Sequence, residues 1–118
     1  MKELDKRIDA WAEGVGIHDG STPLKQALYT LSETQELLVA VEEAGFDYTW
    51  GRDTAEMAGT LTPVQDAIGD IYVTLKNVAH FFGLTMEECV EMAVTTIEDR
   101  AKRGGGMVDG VYVKPEEA

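Results

Sequence analysis

Basic side chains are scarce in this chain: ten Lys and Arg stand against 22 Asp and Glu, for a formal net charge of −12 over 118 residues. That deficit argues against sequence-independent binding to DNA or RNA, whose phosphates require a basic surface, and it disfavours anionic membranes. Anionic small molecules stay open, because divalent cations held by carboxylates bridge to phosphates. Cysteine occurs once, at Cys89, so an intrachain disulfide is excluded and a reducing compartment fits. No apolar run approaches the roughly 20 residues of a membrane span. The opening "MKELDKRIDAW" is charged and periodic and has no apolar signal region. The length suits one domain over residues 1–118 with one core, and the expectation is a soluble intracellular protein.

What the chain does have is helical periodicity. Leu4, Ile8 and Trp11 are spaced for a first helix over about residues 2–13, broken by "GVGIHDG". Thr22 can cap a second helix with Pro23 in its first turn, running to about Ala44 and stopping at Gly45. "TPVQ" reads as a third start, with Gln65 three after Thr62 as in a capping box, and the helix continues to about Phe82. "TMEE" repeats the box with Thr85 and Glu88 and opens a fourth helix to about Arg103, stopped by three glycines. Residues 45–61 form a long connector with room for a short helix at "DTAEMA", and the tail carries a turn signal at Asp109-Gly110 before an extended run, Val111 to Val113. The predicted architecture is all-α, a four-helix bundle-like subunit with a short extended C-terminal tail.

Carboxylates sit where such helices would be expected to pack. At about 100° per residue, Tyr29, Glu33, Glu36, Ala40 and Glu43 share one stripe of the second helix, flanked by Leu37 and Val39. Leu24, Leu28, Leu31 and Leu38 make a separate apolar stripe. The third helix has a broad apolar face of Val64, Ile68, Ile71, Leu75, Val78 and Phe82, with Asp66, Asp70 and Asn77 nearly opposite beside Val73 and Phe81. An unpaired buried charge is very costly, and few cations lie on these helices. A hard divalent cation between Glu33 and Glu36 on one helix and Asp66 and Asp70 on the next would resolve the conflict. The alternative is a solvated face, where such spacings are common.

These stripes resemble the MazG-like nucleoside triphosphate pyrophosphohydrolases, an all-α family with E-E-x-x-E on one helix and E-x-x-D on the next long one. "SETQE" (Ser32 to Glu36) stands at the first motif and "AIGD" (Ala67 to Asp70) at the second. Gln26, the "GDIYVTLKN" context of Asn77 and the closing "TIEDRAKRGGGMVDGVYVK" are similar to small phage-type members, over about residues 20–114. Ser32 and Ala67 replace family glutamates, and Tyr29 a frequent lysine. The resemblance implies hydrolysis of (d)NTP to (d)NMP and pyrophosphate with Mg2+ or Mn2+. Glu33, Glu36 and Asp70 would be metal ligands, joined by Asp66 in place of Ala67, with Glu33 or Glu36 handling the attacking water. It implies a homodimer or homotetramer in the cytoplasm of a bacterial or phage-infected cell.

Substrate contacts are expected from Asn77, from Arg100, Lys102, Arg103 and Lys114 toward the phosphates, and from Trp50, which can stack on a base or serve structure alone. The tail can close over the nucleotide or be disordered. Trp11 can stack on a base too but reads first as a core anchor; Cys89 reads as core, and His18 and His80 as structural or exposed, lacking metal-ligand spacing. Two rival functions remain: a helical interaction module of the same fold that has lost catalysis, favoured by Ser32 and Ala67, and hydrolysis of another nucleotide diphosphate linkage.

Overall fold

The computed structural model describes residues 1–44 and 55–115, with side chains in the second stretch described from Thr62 onward. The fold is all-α with one C-terminal strand pair. The chain divides into two compact units, Met1–Gly83 and Leu84–Ala118. Among the described residues no helix is long and apolar enough to cross a membrane.

The first unit holds α1 (Lys2–Gly14), α2 (Ile17–Gly20), α3 (Pro23–Glu43) and α4 (Ala55–Phe81). α1 gives way at Gly16, which takes the left-handed φ of 84° open to glycine, and the single turn of α2 occupies the expected break. α3 begins as its sequence indicates. The Thr22 hydroxyl oxygen accepts the Lys25 backbone N–H at 3.1 Å, and Pro23 sits where a missing N–H is harmless.

α4 corrects the sequence reading. Its helix starts at Ala55, not at Thr62, and Pro63 lies inside it. A proline removes one i→i−4 bond and crowds the preceding turn, but "AEMA" upstream is rich in good helix formers, and the helix absorbs the defect. A capping-box pattern marks a start only where the preceding backbone is not already helical. The possible short helix at "DTAEMA" merges, from Ala55 onward, into α4.

α3 and α4 run antiparallel. Gln26 and Thr30 early in α3 meet Asn77 and Thr74 late in α4, while Ala40 and Glu43 share a cleft with Ala67 and Pro63. The seam is small and polar: Glu33, Ala40, Ala67, Thr74 and Asn77 are buried. The leucine stripe of α3 is not in it; Leu24, Leu28, Leu31 and Leu38 are 57–70% exposed, and Ile68, Leu75 and Phe82 of α4 are exposed too. Trp11 is half exposed and is no core anchor. α1 is fastened to α4 by polar contacts, Tyr72 to Asp5 at 2.6 Å and Lys76 to Asp9 at 3.1 Å.

The second unit contains α5 (Met86–Lys102), β1 (Gly106–Val108) and β2 (Val111–Val113). Thr85 caps α5, accepting the Glu88 N–H at 3.1 Å and donating its hydroxyl to Glu88 Oε1 at 3.0 Å. Cys89, expected in the core, is only half-buried. The strands pair antiparallel, Gly106 with Val113 and Val108 with Val111. Asp109 and Gly110 both have positive φ, 51° and 79°, the twist that closes a two-residue hairpin. The expected turn and extended run thus form a two-stranded hairpin over residues 106–113.

Candidate metal and nucleotide site

Glu33, Glu36 and Asp70 each bring one carboxylate oxygen to within 4.8 Å of the other two. Helix spacing places Glu33 and Glu36 one turn apart on α3, and the antiparallel seam sets Asp70 of α4 against them. Glu33 is 8% exposed, and its Oε2 is sealed from solvent without a hydrogen-bond partner. Glu36 is exposed and Asp70 half-buried.

The electrostatics follow from that crowding. Burial pushes the Glu33 carboxyl above its ordinary range; its hydrogen bond with Glu36 and the charges of Glu36, Asp70 and Asp66 add to the rise. Asp70 is raised by burial and then by Asp66 and Glu36. Among the described residues the two ion pairs are Lys76 with Asp9 and Arg103 with Asp99, so neither reaches these carboxylates. An all-oxygen donor set with an unsatisfied buried oxygen fits a hard divalent cation such as Mg2+ or Mn2+.

Asp66 is not one of the three converging groups. It is exposed, one helical turn before Asp70, and lines a cleft of about 430 Å³ with Ser32, Glu36, Glu43, Ala67 and Asp70. A second cleft, about 470 Å³, is lined by Glu33 and Asp70 together with Trp11, Tyr29, Thr74 and Asn77. The two clefts thus meet at Asp70. Asn77 is 3% exposed and donates from Nδ2 to Gln26 Oε1 at 3.3 Å, while Gln26 Nε2 donates to Ser21 Oγ at 2.9 Å. This relay holds the Asn77 amide at the edge of the cleft.

The structure therefore assembles Glu33, Glu36 and Asp70, with Asn77 beside them and Asp66 one turn away. Arg100, Lys102, Arg103 and Lys114 belong to the second unit, where Arg103 is paired with Asp99 at 3.0 Å. Trp50 lies outside the described residues. Trp11, a candidate for base stacking as well as for the core, lines this cleft, and Thr74 joins it without any signal in the sequence. Tyr29 could have been found from its place on the acidic stripe. No protein-family model, curated protein or solved structure matches this chain.

Proposed function

We propose that the chain is a MazG-like pyrophosphohydrolase that cleaves (d)NTP to (d)NMP and pyrophosphate with Mg2+ or Mn2+. The observation that carries this reading is the unsatisfied, buried Oε2 of Glu33 within a triad of carboxylates. When bound, the cation supplies neutralising charge for triphosphate oxygens and lowers the pKa of a water. Glu33 and Asp70 would hold it from the two helices. Glu36, the exposed member, would orient a water and accept its proton, and Asp66, one turn before Asp70, would add a fourth carboxylate. The cleft beside them has the size and lining for a nucleoside, with Trp11 and Tyr29 as apolar walls and the Asn77 amide as a polar reader. The exposed leucines of α3 support a homodimer or homotetramer.

Incubation with all common NTPs and dNTPs plus Mg2+, followed by product analysis, tests the reading. Monophosphate and intact pyrophosphate are expected; a free nucleoside diphosphate as product would overturn it. One observation favours a second reading: Ala67, where the family motif has glutamate, is buried in the seam at 5% exposure and offers no ligand. A non-catalytic helical interaction module would retain the fold yet show no metal-dependent gain in melting temperature. Hydrolysis of another nucleotide diphosphate linkage would use the same carboxylates and would show when the panel includes nucleoside diphosphate conjugates.

A further inference from the structure

His18 and His80 are far apart in sequence, and the carboxylate site uses neither. The fold stacks their rings, with centroids 3.5 Å apart and planes 9° from parallel. Asp9 completes the group: one ring nitrogen from each histidine and a carboxylate oxygen of Asp9 all lie within 4.8 Å of one another. The Nε2 of His18 is sealed from solvent and has no hydrogen-bond partner. α1, α2 and α4 deliver one residue each.

We infer that Asp9, His18 and His80 form a second metal site, selective for a transition-metal ion of the Zn2+ class. Two imidazoles and one carboxylate are ligands that Zn2+ and Co2+ favour, leaving a fourth position for water, whereas Mg2+ prefers oxygen throughout. A buried imidazole nitrogen without a partner has lost its hydration for nothing; a metal ion restores a partner. The in-plane lone pairs of two parallel rings run side by side, so the rings must open slightly around an ion. His80 has room for this, because it is exposed in the last turn of α4. Lys76 lies 3.1 and 3.2 Å from the two Asp9 oxygens. It fixes that carboxylate as outer-sphere donors fix ligands, while its charge limits the affinity. The bound ion would tie α1 and α2 to the end of α4, next to the cleft that Trp11 and Ile17 help to line.

The test is a Co2+ titration of the full chain under excess Mg2+, added to compete at the carboxylates, read by visible d–d absorption. The expected result is a band that saturates near one equivalent and is bleached by Zn2+. It should persist in Cys89→Ser and weaken ~10-fold or more in affinity in both His18→Ala and His80→Ala, a scale that even outer-sphere losses reach. His80 is exposed, so its variant decides the matter even where His18→Ala disturbs folding. No band in the wild type, an unchanged band in His80→Ala, or a band lost with Cys89→Ser overturns the inference.

Discussion

Tyr72 donates its hydroxyl to Asp5 Oδ1 across 2.6 Å, joining the middle of α4 to the first turns of α1. Burial, then the bond to Asp5 and the charge of Asp5, push the phenol from 10.0 up to about 12. A group with a raised folded pKa gives its full contribution below the unfolded value and loses it as pH climbs through the folded one. The bond should therefore be intact at pH 7 and weaken between pH 10 and about 12. Tyr72→Phe should cost ~2 kcal/mol at pH 7, as for hydrogen bonds to charged acceptors. Urea unfolding at both ends of that window checks it; a Phe variant with the same alkaline loss as wild type would remove the assignment.

Glu33 and Asp70 have the same sign of linkage, unusual for carboxylates. Their folded pKa values lie above the free values of 4.5 and 3.8, so their contribution is complete in acid and is lost as pH rises through the folded values. At neutral pH the metal-free seam carries this strain. Glu33→Gln should raise the metal-free melting temperature at pH 7 by ~2–5 °C. Under the proposed function, turnover should fall at least ~10²-fold in the same variant. Differential scanning calorimetry decides it, and a lower melting temperature in the Gln variant counts against a strained site.

Millimolar Mg2+ should raise the melting temperature of the wild type by mass action, by ~2.7 kcal/mol of stability at a hundredfold excess over Kd. Glu33→Gln and Asp70→Asn should respond far less. The absence of any Mg2+ response in the wild type, with or without nucleotide, would end the metal reading.

Asp66 and Asp70 should separate in kinetics. Asp70 is among the converging oxygens and Asp66 is not. Asp70→Asn should abolish turnover, while Asp66→Ala should reduce it on the order of 10²-fold. Wild-type turnover in Asp66→Ala would show that three carboxylates suffice.

The exposed stripe of α3 predicts self-association. Leu28 and Leu31 are 57% and 58% exposed on one helix, and apolar side chains grouped on an exposed face are what an interface between copies would cover. Leu28→Glu with Leu31→Glu should convert a dimer or tetramer to monomer in analytical ultracentrifugation. A wild-type chain that already sediments as monomer refutes the assembly.

Features encoded by local hydrogen bonds were legible in the sequence. Thr22 with Lys25, Thr85 with Glu88 and the Asp109-Gly110 turn each involve residues at most a few positions apart, and each formed where expected. The start of α4 was not legible, since Thr62-Pro63 carries the signals of a boundary and only the surrounding helix shows that it is not one. Periodicity also separated the stripes of α3 correctly without telling which one meets α4. The leucines looked like core, yet Glu33 and Ala40 took the seam. Convergence of Glu33, Glu36 and Asp70 was readable because spacing fixes two of them and adjacency of the helices supplies the third. The meeting of Asp9, His18 and His80 was invisible, because it depends on how α1 and α2 lie against the end of α4.

Under the proposed reading, a seam lined with carboxylates and alanines ties the durability of the first unit to a bound cation. Proteases cut the opened chain, and opening is rarer when a ligand of the folded state is abundant. Under the proposed reading, the half-life of this polypeptide in a protease-containing extract should lengthen as free Mg2+ rises. The molecule would then accumulate where its catalytic ion is plentiful and turn over quickly where it is scarce.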